Sequence, residues 1–472
     1  MKQKILALLL ALAVVASLCA VSAMAEDAIP ESPASAGAPA EKSPAEGLPE
    51  GGEDPAEGEA VPPEGGEAAD PEATEELPSP AGPDLGDNVL REPDALGSVS
   101  FANVESRMRE NNFQFLVLQQ SIDTIGDIDY EDLRDDLWHQ LNSIAKTKWN
   151  LVLTGDTLSA LGYMSEYEQD KTKDQLDQAY EAVRDQFDAI EDGEMQQDNA
   201  DLVRQLKNLQ DQILMAGESL YTALASMENQ KAGLDRQLAA LDRTMKEMEL
   251  RYQMGQISAL QLTQAKAGRT SLASGISTLA MNIENYKRQL ELLIGAEQTG
   301  KIALGAVPAV TTKQLEAIDV EADLKAAKEL SYQLYDAKLT LEDAREDYME
   351  EANSYGFKET RQGYRNAKRT WDAAQYTYND TVQNYELKFR SLHAQVLDCK
   401  QILETSQVSL ESQKASYAAS ELKYQQGTIS QYALLEAKDE LAKAEDAVHA
   451  AANDLFSTYN TYCWAVQHGI LN

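Results

Sequence analysis

Residues 249–266 read ELRYQMGQISALQLTQAK and residues 421–438 read ELKYQQGTISQYALLEAK; aligned without a gap, the two share ten of eighteen positions. A duplication of this kind obliges the fold to build one supersecondary unit twice. Each copy carries apolar residues at helical spacing, then a glycine, a short Ile-Ser step and a second helical run beginning near Leu260 or Leu434. Glycine ends a helix in the left-handed conformation and serine caps the free N–H groups of the next. Each copy therefore predicts two long helices joined by a tight tip.

Periodicity identifies the kind of helix. Phe357, Tyr364, Trp371, Tyr378, Tyr385, Leu392 and Cys399 recur every seven residues, with Ala367, Ala374, Val382, Phe389, Val396 and Leu403 three or four later. This is a coiled-coil seam, and its aromatics read as packing rather than as a stacking ladder for a ligand. The run from about Tyr355 to Gln426 lacks proline; as one helix, at roughly 1.5 Å per residue, it would reach about 110 Å. A second long run extends from about Asn199 to Met254, and shorter partners return from the tips to about Ile294 and Val466. The expected fold is all-α: long antiparallel coiled-coil hairpins in two internal repeats.

The starts of the repeats are related more weakly. Asn112-Phe113-Gln114-Phe115, expected in a short amphipathic helix, matches Ser331-Tyr332-Gln333-Leu334 in character, but at an offset of 219 residues against 172 at the tips. The first half thus holds about 47 extra residues, expected within 130–198.

Five regions follow. Lys2, Lys4, an apolar run from Ile5 to about Leu18 and Ala23-Met24-Ala25 predict a secretory signal peptide over 1–25, with Cys19 leaving in it. No later segment reaches the roughly 20 apolar residues of a membrane-spanning helix, so an exported envelope protein is expected. Residues 26–98 hold thirteen of the fourteen prolines among Glu, Gly and Ala, a composition that predicts disorder and a solvated spacer. The first repeat occupies 99–298, a connector through Gly300, Gly305 and Pro308 occupies 299–320, and the second repeat occupies 321–472.

Of the net charge of −38, residues 26–94 contribute −18 and residues 95–472 contribute −22, offset by the signal's two lysines. Such acidity argues against nucleic acid or an anionic membrane surface as partner. Cys399 and Cys463 are too few for a disulfide framework and read as core. His139, His393, His449 and His468 are scattered without metal-ligand spacing, and no phosphate loop or nucleophile motif occurs. The chain reads as a non-enzyme without a cofactor.

The pattern Tyr-x-x-Gly-x-Ile-Ser followed by Leu-x-x-Ala, once in each half, resembles the TolC-like outer-membrane efflux proteins. Tyr252, Gly255, Ile257, Ser258, Leu262 and Ala265 carry it first; Tyr424, Gly427, Ile429, Ser430, Leu434 and Ala437 carry it again. Leu292-Leu293-Ile294-Gly295 resembles the family's close of the first repeat. The resemblance implies a homotrimeric helical cylinder that conducts small molecules or unfolded polypeptides in efflux or type I secretion-like export. It places Met254, Gly255, Gln256, Gln426, Gly427 and Thr428 at tips facing a periplasmic adaptor protein, itself coupled to an inner-membrane pump. A glycine that merely ends a helix is equally compatible with those tips. Tyr424 matches the tyrosine of the family's gate, whereas Gln261 and Ile429 stand where a charged pair is usual. Glu436 matches an acidic entrance position, or is simply a solvated glutamate.

Membrane strands of the kind the family inserts between helix pairs need roughly 9–11 alternating residues. Asn150-Leu151-Val152-Leu153-Thr154 is the best short candidate, and Asn353-Ser354-Tyr355-Gly356-Phe357 offers room for a turn only. The helical tunnel is therefore expected with barrel strands absent or minimal. A passive envelope spacer or adhesin stalk is the alternative, although it leaves the duplicated tip unexplained; a membrane-fusion adaptor would carry one hairpin, not two.

Overall fold

The structure is a computed structural model that describes residues 94–95, 97–162 and 165–471. The expected signal peptide, and the acidic segment up to residue 93, lie outside the described residues. Asp94 Oδ1 accepts hydrogen bonds from Ser100 N (3.1 Å) and Asn103 Nδ2 (3.0 Å), which ties the end of the acidic segment to the first helix.

The described residues form α1 (Phe101–Asn111), α2 (Phe113–Gly126), α3 (Tyr130–Ala160), α4 (Glu166–Glu191), α5 (Glu194–Gln253) and α6 (Ala259–Leu293) in the first half. The second half holds α7 (Thr312–Glu316), α8 (Val320–Leu330), α9 (Tyr332–Ser354), α10 (Gln362–Gln425) and α11 (Gln431–His468). The only strands among these residues are β1 (Ser98–Val99) and β2 (Ala303–Leu304), paired in parallel at the start of the connector. The all-α hairpin architecture is the one the heptads require.

Each long helix folds back on its successor: α5 packs on α6 and α10 on α11. The halves then join along α5 and α11. Asp211 meets His468, Glu218 meets Asn460 and Trp464, and Thr244 meets Tyr432, so one number rises as the other falls. Arg236–Asp446 and Arg243–Asp439 ion pairs fill the interval. The pairing is antiparallel, and the helices form one layer in the order α6, α5, α11, α10.

The two starts of the repeats are helix breaks rather than parts of one helix. Asn112 and Ser331 are extended (φ −75°, ψ 115° and φ −64°, ψ 117°) and cap α2 and α9 through Phe115 N and Leu334 N. Each break receives the end of the returning helix of its own half. Asn112 Nδ2 donates to Leu293 O (3.0 Å) at the end of α6, and Gly469, closing α11, lies against Ser331. Gly469 has φ +68°, and a Cβ there would stand 2.4 Å from Ser331 N; only glycine allows that approach. The columns α6–α2 and α11–α9 thereby run the length of the layer.

Burial follows the heptads. Tyr385, Phe389, Leu392 and Val396 of α10 pack with Leu324 and Ala327 of α8 and Leu455, Tyr459 and Tyr462 of α11. Burial of each Leu, Val or Phe of this set stabilises the fold by roughly 1.5–3 kcal/mol. The Tyr385 hydroxyl lies 3.0 Å from Ala327 O and 3.1 Å from Gly469 O, and burial pushes its pKa to about 12. Cys463 is buried in the same core, which also raises its thiol pKa to about 12 and keeps it unreactive.

Two expectations are corrected. Phe357 is 52% exposed on a turn, so the heptad stripe and α10 begin only after Arg361. Asn150–Thr154 is helical, because Leu137, Ile144, Leu151 and Gly155 bring one flank of α3 against α4 and that spacing overrides local β character. The extra residues of the first half thus form a helical hairpin, α3–α4, joined to α5 through Gly193 at φ +84°.

Candidate functional site

The two tips are built alike down to the hydrogen bond. In the first, Gln256 N donates to Arg251 O (2.8 Å) and Gly255 N to Tyr252 O (2.9 Å); in the second, Thr428 N donates to Lys423 O and Gly427 N to Tyr424 O, both 2.9 Å. Gly255 and Gly427 hold φ of +72° and +69°, and Met254 and Gln426 share φ −81°, ψ 0°. This double bond around a left-handed glycine satisfies the last carbonyls of a helix and turns the chain sharply. Ser258 Oγ and Ser430 Oγ then accept from Gln261 N and Ala433 N and open the returning helices.

All six proposed tip-contact residues, Met254, Gly255, Gln256, Gln426, Gly427 and Thr428, are exposed. Leu250, Tyr252, Leu422 and Tyr424 stand exposed in the preceding turn, giving each tip an apolar collar. The gate candidates are not gathered into one cluster. Gln261 serves its own helix, its Oε1 accepting from Ser258 N (2.9 Å) in a capping box. Tyr424 and Glu436 are exposed and make no side-chain hydrogen bond among the described residues, and Ile429 is half-buried. Tyr432 joins the second tip to α5 through Thr244 Oγ1 (2.8 Å), a tie that the α5–α11 register alone reveals.

Toward the opposite end of the same seam, near the end of α11, Glu218 is a buried carboxylate. Its Oε2 accepts from Trp464 Nε1 (2.7 Å) and Asn460 Nδ2 (2.8 Å), and burial raises its pKa against those two bonds. His468 lies tilted against Trp464 (ring centroids 4.4 Å apart) and pairs with Asp211. Sequence reasoning missed this cluster, because a glutamate on a polar-looking helix carries no local mark of burial.

The layer has two open edges. Leu260, Met281 and Leu292 are exposed along α6, which packs chiefly on α5; Leu387, Leu397, Ile402, Val408 and Leu422 are exposed along α10. Among the described residues no helix is long and apolar enough to cross a membrane, and no group of three His, Cys, Asp or Glu side chains is placed to hold a metal.

No family model and no curated protein sequence matches the chain. Among solved structures the chain is similar to CusC (TM-score 0.41, 13% identity, covering 78% of this chain and 96% of that one). It is similar also to the outer-membrane channel OprN (TM-score 0.45, 14% identity, 78% and 90%) and to the outer membrane protein VceC from Vibrio cholerae (TM-score 0.37, 15% identity, 58% and 76%).

Proposed function

We propose that three copies of this chain close into a helical cylinder that exports substrates through its lumen. The chain acts as a TolC-like channel component of the cell envelope. The observation that carries the reading is the pair of open apolar edges. A single layer of helices leaves Met281 and Ile402 wet, and joining the α6 edge of one copy to the α10 edge of the next covers both. Directions alternate along α6, α5, α11 and α10, so the new neighbours are antiparallel like the rest. A contact between two different edges closes a ring when its rotation divides a full turn.

The paired tips then lie on one rim, six to a ring, with their collars available to an adaptor protein coupled to an inner-membrane pump. Two identical left-handed glycine turns support that role: a hairpin needs only one helix end, whereas a repeated docking unit needs the same backbone twice. Glu436, exposed on α11 near this rim, would repeat threefold and favour cations at the entrance. Exposed Tyr424 and half-buried Ile429 support closure by packing and neutral hydrogen bonds, since the charged latch is missing. The test is electron-microscope imaging of the purified mature protein. Hollow end views with threefold symmetry are expected, and solid rods would leave the spacer reading in front.

A further inference from the structure

We propose that the α3–α4 arm of one copy clasps the first turns of α10 in the neighbouring copy, an inference that rests on the ring of copies proposed above. The arm packs chiefly on itself. It is tied to the body at its base, where Asn199 Nδ2 donates to the Tyr130 hydroxyl (2.8 Å) and Gln196 Nε2 to Ile190 O (3.0 Å). Residues 130–191 carry fourteen carboxylates against six cations. Glu181 and Asp185, exposed on α4, make no ion pair with another described residue. Beside the seam that meets α4, α3 presents a second flank: Trp138, Trp149, Val152 and Leu153 are all exposed. A helix with two adjacent apolar flanks is built to lie between two neighbours.

The start of α10 is the complement. Lys358, Arg361, Arg365, Lys368 and Arg369 stand exposed within twelve residues of an otherwise acidic chain, and none makes an ion pair with another described residue. The adjacent α9 carries Glu342, Asp343, Glu346, Asp347, Glu350 and Glu351, yet none of them comes within 4.0 Å of a cation of this face. Arg365 donates instead to Glu359 O and Thr360 O, which fixes the turn. That turn presents Phe357 at φ +55°, 52% exposed, and Tyr376 is exposed further along the helix.

Position brings the two faces together. The arm leaves the body from the end of α2, which stands in the α6–α2 column at one edge of the layer, and α10 is the opposite edge, so ring closure brings the two to the same junction. Tyr335 of α9 bonds Asp201 of α5, close to Asn199 at the arm's base, so both begin at one level of α5. From there α9 climbs roughly 30 Å to the turn, and the arm's helices of 31 and 26 residues are about 40–45 Å long. Opposite charges across such a contact fix register and suppress wrong partners.

The experiment mixes isotopically labelled and unlabelled full chains, joins carboxyl to amine groups with a carbodiimide, and reads inter-copy peptides by mass spectrometry. The clasp expects Lys358 or Lys368 joined to α4 carboxylates of a different copy. Sedimentation at 0.15 M salt completes it: Arg361→Glu with Arg369→Glu should raise the ring's dissociation concentration about tenfold. Adding Glu181→Arg and Asp185→Arg should restore it, which misfolding could not do. A three-chain ring indifferent to all four changes, or cross-links confined to single chains, overturns the clasp and leaves the channel reading standing. A wild type that stays single removes the ring itself. Flotation with phosphatidylglycerol vesicles that the Arg361→Glu, Arg369→Glu pair abolishes, with ring mass unchanged, would give the face to lipid and overturn the clasp.

Discussion

Glu218→Gln and Glu218→Ala separate what a buried carboxylate costs from what its hydrogen bonds contribute. Glu218 is 7% exposed, and both Trp464 Nε1–H and Asn460 Nδ2–H end on its Oε2. Alanine strands a buried donor on Trp464 and a part-buried one on Asn460, and at about 1–3 kcal/mol each Glu218→Ala should destabilise the α5–α11 seam by roughly 2–6 kcal/mol. Glutamine keeps an oxygen to accept both bonds and removes the charge.

The sign for pH follows from burial, which raises this pKa above the ordinary glutamate value of 4.5, with Glu105 adding to it and the bonds from Asn460 and Trp464 opposing it. The folded state then holds its proton more tightly than the unfolded state. Stability from this group is full below the unfolded value and is lost as pH rises through the folded one. Thermal unfolding followed by circular dichroism across pH 4–8 is the assay, with wild type and both variants compared at each pH. Glu218→Gln should match or exceed wild type at the upper end and remove this group's share of the slope. Equal destabilisation by Gln and Ala at every pH, with the wild-type slope intact, would refute the reasoning.

Two further outcomes follow from the same structure. Glu291, 1% exposed, accepts from Gly300 N, Lys301 N, Ile302 N and Thr299 Oγ1; burial alone would raise its pKa, but these bonds outweigh it and hold the pKa below the ordinary value. Its stabilisation is therefore present above the unfolded value and lost as acid takes the pH through the folded one, and Glu291→Ala should cost about 3 kcal/mol or more at pH 7 in urea unfolding. Gly469→Ala forces a Cβ into the Ser331 backbone at positive φ and should cost more than 1 kcal/mol, whereas Gly268→Ala, with open space around it, should be neutral or stabilising in the same titration.

The tips were legible because their chemistry is local. Gly255 and Ser258, Gly427 and Ser430 each act within six residues, so one sequence carries the whole motif. The heptads of α10 were legible for the same reason, from Tyr364 to Leu403. What depended on register between distant helices was not. Thr244–Tyr432 and Glu218–Trp464 join residues some 190 and 250 positions apart, and no spacing along the chain encodes them. The α3–α4 hairpin was hidden by the β-branched and leucine-rich run 150–154, which mimics a strand until Leu137, Ile144 and Gly155 are counted with it. The cationic face of α10 was hidden by averaging: a net charge of −22 over the body conceals five neighbouring cations.

The most direct test of the central claim is a disulfide across the edges that ring closure brings together. Met281 lies 22 positions from the start of α6 and Ile402 lies 23 from the end of α10, so both stand about 33–35 Å from their tips, exposed on opposite edges. With Cys399 and Cys463 replaced by alanine, Met281→Cys with Ile402→Cys should oxidise to a covalent ladder that stops at three chains, while either cysteine alone should not. Single chains under the same oxidation, or a ladder without an upper limit, would contradict the closed cylinder.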